Sequence, residues 1–417
     1  MIVIYTPKVT NRIKYTADFV FSQYFGIQYE FTENPEFISV SDKVCLNYSP
    51  TVKNGFFNIF QNNLLLESDI QEQQIFVSCE ADMPVFFQTT ENFDIRFDIF
   101  SCVFYLLSRY EEYLPHDKDV HGRYKSSNSI LSKKEFTFSP IVEIWLNFFK
   151  EELLKINSTL PFKKHEFEYV PTFDIDNAFR YLGRNWFQKP PNIFDSNCLP
   201  VLLKQQADPF DIFDKLLEEI NKYNLNPIFF FLLSDADKND SNVSPESEKL
   251  HSVIRKLSSK EIGIHPSYKA LPRDTLQQEK SLLEKITSQK ITVSRQHFLK
   301  ISFPEYYRTL AETGIEKDFS LSYPDVTGFR AGCSRPFYFF DIEKNESSSL
   351  IIQPSCWMDA TYEYYQALNN DEIRRNLSTI FTQIKKINGI LVPIFHNDLL
   401  AMDKYWGIFG FFNLQSI

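Results

Sequence analysis

Six short stretches of this 417-residue chain run from apolar residues into side chains that can ligate a metal or move a proton. They are Thr172-Phe173-Asp174-Ile175-Asp176-Asn177, Gly263-Ile264-His265-Pro266, Ser294-Arg295-Gln296-His297, Gly328-Phe329-Arg330, Trp357-Met358-Asp359 and Phe395-His396-Asn397-Asp398. The Asp-x-Asp pair sets two carboxylates near one point, with Ile175 turned back toward a core. A helix cap accounts for one such aspartate but not for both. Only seven histidines exist in the chain, and three of them, His265, His297 and His396, fall in these stretches. Carboxylates and imidazoles together serve divalent-metal ligation or general acid–base catalysis. Taken singly, each has a plainer reading: a strand-end histidine satisfied within the core, or an arginine in a surface ion pair. Their common position at the ends of apolar runs is what argues for a site.

The elements that must position them divide the chain in two. Residues 1–165 alternate β-rich runs (Met1–Tyr5, Ile75–Cys79) with polar stretches, then give helical patterns over Phe93–Leu114 and Pro140–Ile156. The polar stretch Asn157–Glu166 marks the boundary, and residues 166–417 form a second domain. There, strands at Phe167–Phe173, Pro227–Leu233, Glu261–His265, Ile291–Phe298, Gly328–Arg330, Ser349–Ile352 and Gly389–Phe395 are expected, with a further one near Ser320. They alternate with helices at Asp211–Tyr223, Pro245–Ser259, Asp274–Thr287, Glu305–Thr313 and Thr361–Ile387. Such alternation indicates a parallel sheet with crossover helices. A unit of about 250 residues is the size of a (β/α) barrel, and an open doubly wound sheet is the competing architecture. In either, ligands meet the carboxyl ends of the strands, where the six stretches lie.

Composition narrows the class. Apolar residues make up 43% and charged residues 24%, the mix of a folded protein rather than a disordered one. A net charge of −10 argues against nucleic-acid binding, which needs a concentrated basic surface. No apolar run approaches the ~18 residues that a membrane span requires. The start, MIVIYTPKVT, lacks a basic region followed by an apolar one, and a cytoplasmic location is expected. Six cysteines lie far apart with no CxxC pair, which reads as reduced thiols rather than a disulfide framework. The 42 phenylalanines supply core material and name no activity.

The order FDID, a strand ending in histidine, FRAG, and a last strand ending in histidine resembles the polysaccharide deacetylase (NodB-homology) family of metal-dependent carbohydrate esterases, over about residues 167–400. The resemblance implies a distorted (β/α) barrel preceded here by a smaller α/β domain. It implies removal of an N-acetyl or other acyl group from a sugar-containing substrate, with a divalent metal, zinc above all, as cofactor. Residue by residue it implies Asp174 as general base, Asp176 and His265 as metal ligands, Arg330 as the arginine orienting the base, and His396 as general acid. Trp357 and Asp359 correspond loosely to the fourth family motif, with Asp359 keeping His396 protonated. The segments SRYEEYLP (Ser108–Pro115) and DVHGRYK (Asp119–Lys125) resemble an uncharacterised domain preceding this barrel in one bacterial subgroup. No catalytic residue is expected from it, although His121 and Arg123 are the polar residues best placed to reach the barrel's mouth.

One departure from the family pattern bears on the metal. The second motif, His-x-x-x-His, keeps only His265, because Lys269 occupies the other position. An ammonium repels a cation and would first have to deprotonate. Catalytic zinc typically has three protein ligands, and His297 is the expected replacement. It lies on the strand after that of His265, and one intervening helix makes the two strands parallel neighbours about 5 Å apart. Two other readings remain open. The domain is degenerate and only binds a glycan or partner, or the Asp-x-Asp pair serves a nucleotide-sugar glycosyltransferase, which leaves His265, Arg330 and His396 without a task.

Overall fold

The computed structural model describes every residue except 38–42, 81–82, 185–191, 236–237, 271, 367 and 417. The N-terminal half carries four parallel strands, β1 (Ile2–Tyr5), β2 (Tyr29–Thr32), β3 (Val44–Ser49) and β4 (Phe57–Phe60), in the order β2-β1-β3-β4. Every residue of β1 and β3 is buried, as expected for a parallel strand covered on both faces. The helix Ile99–Leu107 is buried throughout and begins at Asp98, whose carboxylate accepts from the Ser101 backbone N–H at 2.8 Å. The helix Ile141–Ile156 turns Val142, Trp145, Leu146, Phe149 and Leu153 inward at helical spacing.

Among the described residues, the C-terminal half is built on a sheet of nine strands. In chain order they are β5 (Thr172–Ile175), β6 (Ile228–Phe231), β7 (Glu261–Ile264), β8 (Val293–Ser294), β9 (Lys317–Asp318), β10 (Phe337–Asp341), β11 (Glu346–Ile352), β12 (Trp357–Met358) and β13 (Pro393–His396). Their order in the sheet is β10-β11-β9-β8-β7-β6-β5-β13-β12, parallel except for the β10–β11 hairpin. Amphipathic helices connect them; Phe213–Lys222, for example, buries Phe213, Leu216 and Ile220 on one face.

The sheet is strongly curled. Arg295, one residue beyond β8, bonds the Thr172 hydroxyl and the Asp174 carboxylate of β5, although β7 and β6 lie between. Three strand spacings span ~14 Å in a flat sheet, too far for those contacts. Ile228, Phe230, Val293, Phe319, Ile390 and Val392 form a small apolar cluster of their own inside the curl. The edge strands β10 and β12 do not pair with each other, so the barrel is distorted and open. Among the described residues no helix is long and apolar enough to cross a membrane.

Several expected elements differ in detail. Ile291–Phe298 is not one strand: pairing stops at Ser294, and His297–Leu299 form a tight turn with Phe298 and Leu299 at φ 61° and 50°. Thr361–Ile387 is two helices, Asp359–Tyr364 and Asn370–Lys386, the second opened by a capping box between Asn369 and Glu372. Gly328–Arg330 is a turn docked on the N-terminal half rather than a strand. Gly328 has φ +138°, and a Cβ there would fall 2.4 Å from the Thr137 carbonyl oxygen. The adjacent Phe329 N–H donates to that same oxygen at 2.7 Å.

Candidate active site

The carboxyl ends of β5, β7, β8 and β13 converge on one cleft. Parallel pairing sets His396 of β13 directly beside Asp174 of β5, and Ile264 beside Ser294, so the residues following each strand emerge together. Asp176, His265 and His297 each present a ligand atom, all within 4.8 Å of one another. His265 Nε2 lies 3.0 Å from Asp176 Oδ1, and His297 Nε2 lies 3.3 Å from Asp176 Oδ2.

The second ring nitrogens fix the tautomers. His265 Nδ1 is 2.5 Å from the Arg295 carbonyl oxygen, which can only accept, so Nδ1 carries the proton. His297 Nδ1 donates in the same way to Asp240 Oδ1 at 2.8 Å. Neutral rings held so direct the lone pairs of both Nε2 atoms at the Asp176 carboxylate. Lone pairs facing a carboxylate repel unless a proton or cation lies between them. Asp176 Oδ1 and His265 Nε2 are buried without an aligned hydrogen-bond partner despite their proximity. One carboxylate and two imidazoles, each imidazole oriented by an acceptor behind it, fit a zinc-type ion. Without a cation, burial disfavours a charged His297, but Asp176 and Asp240 outweigh it and raise the ring to about 9. Burial likewise pushes Asp176 up, and the two histidines hold it well below the usual carboxylate range. Lys269 lies elsewhere, on the wall of a separate cavity with Asp240 and Glu279.

Asp174 is buried, and Arg295 Nη1 donates to its Oδ1 at 2.9 Å. Arg295 also donates to Thr172 Oγ1, to Ser355 Oγ and to the Phe319 carbonyl, which fixes the guanidinium on every side. This corrects the expectation for Arg330. Arg330 instead donates to Glu112 of the N-terminal half, from Nε at 2.8 Å and Nη2 at 2.5 Å, and Arg109 donates to the same carboxylate at 2.9 Å. The reason is the turn at Gly328, which packs on Thr137 of the N-terminal half and carries the following arginine to the domain contact. In the sequence Arg295 stands only as one member of the stretch Ser294-Arg295-Gln296-His297. Asp240 had no sequence signal, since it lies in the loop before the helix Glu248–Leu257.

On the other side of the cleft, His396 Nδ1 donates to Asp359 Oδ1 at 2.6 Å, while the His396 backbone N–H donates to Asp359 Oδ2 at 2.7 Å. Burial opposes the charged ring, but Asp359, and then Asp176 and Asp174, raise His396 well above the ordinary histidine value. His396 Nε2, 3.9 Å from Asp176 Oδ2, faces the cleft. Burial raises the neighbouring Asp398 to about 6, with His396 opposing and Asp176 adding to the rise. Trp357 sits behind this pair in the core, its ring 5.1 Å from Phe395 and 5.0 Å from Phe412. Phe298, Met358, Tyr364, Tyr365 and Leu399 wall the cleft, together with Arg123 from the N-terminal half. His121 sits at the same rim, its Nδ1 3.2 Å from the Tyr268 hydroxyl.

Residues 2–158 match the model of a family of unknown function, DUF7033. No curated protein matches the chain. Among solved structures, a protein from Mycobacterium smegmatis assigned as a polysaccharide deacetylase is similar at 15% identity and TM-score 0.41, over 60% of this chain and 84% of its own. A protein from Pseudomonas aeruginosa PAO1, assigned likewise, is similar at 13% identity and TM-score 0.41, over 60% and 84%. The allantoinase Puue is similar at 14% identity and TM-score 0.40, over 59% and 82%.

Proposed function

We propose that this protein is a divalent-metal-dependent hydrolase that removes an acyl group from nitrogen, with N-acetylated sugars as its substrate class. The observation that carries the reading is the convergence of the Asp176, His265 and His297 ligand atoms between an arginine-held carboxylate and an aspartate-held imidazole. Asp176, His265 and His297 would hold the ion. A cation there supplies Lewis-acid chemistry, acidifying an attacking water and polarising the acyl carbonyl.

The chain's own residues supply the proton transfers. Asp174 takes the proton of the attacking water; Arg295 bonds one oxygen of that carboxylate and so fixes it at the cleft wall. Breaking the carbon–nitrogen bond requires a proton for an amine leaving group. His396, held cationic by Asp359, delivers it, a role contributing roughly 10²–10⁴-fold. The walls of the cleft keep bulk water away and strengthen both interactions. The sugar assignment rests on the resemblance of FDID, the strand-end histidines and the last motif to carbohydrate esterases. The rings of Tyr364 and Tyr365 at the mouth suit the apolar face of a pyranose.

The test is metal analysis of the purified protein joined to acetate release from N-acetylglucosamine oligomers and from a simple acetamide. One zinc per chain with acetate released from the oligomers supports the reading. Zinc with activity only on the acetamide removes the sugar assignment. Zinc without hydrolysis of either favours a glycan-binding domain, and uridine diphosphate binding without zinc favours a glycosyltransferase.

A further inference from the structure

We infer that the N-terminal half completes the metal site: His121 and Arg123 are positioning residues that clamp the Phe298–Leu299 turn and, through it, hold His297. The inference rests on the metal reading of Asp176, His265 and His297 given above.

His297 and His265 are held alike at the backbone N–H and differ in the chain that follows. The His265 N–H bonds the Phe231 carbonyl at 2.9 Å, and the His297 N–H bonds the Pro266 carbonyl at 3.1 Å. After His297, however, the chain turns at once through two consecutive left-handed residues that are not glycine, Phe298 and Leu299. A side chain disfavours that conformation, because Cβ crowds the following carbonyl, so surrounding contacts must impose it. Two of those contacts come from Asp119–Lys125, more than 170 residues earlier in the chain. Arg123 Nη1 donates to the Phe298 carbonyl at 2.7 Å. The His121 ring packs on the Phe298 ring at 4.9 Å between centroids, and the Phe298 ring in turn lies 4.6 Å from that of His297.

The clamp is itself rigid. Asp119 accepts from the backbone N–H groups of His121 and Arg123 at 2.9 Å and from Arg123 Nε at 2.7 Å. Arg123 Nη2 donates to the Tyr365 hydroxyl at 2.9 Å, tying the same guanidinium to the opposite wall of the cleft. With Asp119 neutralising its charge and its donors directed to protein atoms, Arg123 is suited to hold a turn rather than to recognise an anionic substrate. It touches neither the three ligand atoms nor Asp174, so its action on the site is indirect.

The experiment uses the full chain with zinc alone as the probe. Zinc affinity is measured by chelator competition, and the visible spectrum of the cobalt-substituted protein reports ligand geometry. Outer-shell partners of metal ligands typically contribute 10–100-fold in affinity. Arg123→Ala is expected to weaken zinc at least about tenfold and to alter the cobalt spectrum, with Arg123→Lys intermediate. Ser126→Ala is the control: it removes a neighbouring contact between the halves, the 2.7 Å bond to Asp325, without touching Phe298, and should leave affinity unchanged. Unchanged affinity and spectrum in Arg123→Ala, or an equal loss in Ser126→Ala, would overturn the clamp. Should Arg123→Ala fail to fold, wild-type affinity in Arg123→Lys overturns it and a several-fold loss sustains it. Absence of zinc binding by the unsubstituted protein overturns the metal reading, and this inference with it.

Discussion

Arg295 and Asp174 stand on strands separated by two others, yet their side chains meet at 2.9 Å with both groups buried. That contact records the curl of the sheet, and it places a fixed positive charge behind the proposed base. Breaking a buried pair costs about 3–5 kcal/mol, because the remaining charge is left uncompensated. Arg295→Gln is therefore expected to lower both stability and turnover. In Asp174→Asn, zinc stoichiometry should stay near one while hydrolysis falls by roughly 10²–10⁴-fold. Loss of zinc from Asp174→Asn with retention in Asp176→Asn would reverse the two assignments.

Glu112 receives Arg330 and Arg109 together at the contact between the two halves. Burial raises its carboxyl, but the two guanidinium groups hold it below the ordinary value. A depressed carboxylate contributes stability that is present above its unfolded pKa of ~4.3 and is lost as pH falls through the folded value. Glu112→Gln should cost on the order of 3–5 kcal/mol in urea unfolding at pH 7, and wild type should lose this margin in acid. The kcat of the folded variant should hold near wild type. A large fall in kcat without loss of stability would give Arg330 back a role at the base.

His396 owes its charge near neutrality to Asp359. A raised histidine stabilises the fold fully below its unfolded pKa of ~6.5 and loses that contribution as pH rises through the folded value. As general acid it should sustain kcat/KM past the ordinary histidine range, with the falling limb displaced to higher pH. In Asp359→Asn that limb is expected to move to lower pH, a shift that pH–rate profiles resolve. An unmoved limb would remove His396 as the acid.

Asp398 shows the opposite economy. Burial raises it to about 6, so above that pH the native state holds a carboxylate it disfavours. Stability attached to this group is present below its unfolded value of ~3.9 and is lost as pH rises past about 6. In metal-free protein, Asp398→Asn should therefore raise stability at pH 7.5 by on the order of 1–2 kcal/mol and change it little at pH 4. An increment independent of pH would show that titration is not its source.

The sequence alone determined the α/β class and most of the strands and helices, because those follow from local pattern. PIFFFLL reads as a buried strand without knowledge of its neighbours, and Leu216 and Ile220 mark a helix face by spacing. It also determined the ends of the strands where His265, His297 and His396 emerge, since a strand's direction is that of the chain. The grouping of His297 with His265 followed from one rule, that a single crossover helix makes successive strands neighbours.

The tertiary structure decided what depends on contacts distant in the chain. Arg295 and Arg330 are both strand-end arginines by sequence, and only the curl of the sheet and the turn at Gly328 separate their tasks. Asp240 reaches His297 from a loop 57 residues away, and Arg123 reaches Phe298 across 175 residues. Local propensity carries no record of such pairs, because the energy that forms them comes from burial and charge pairing after the elements have packed.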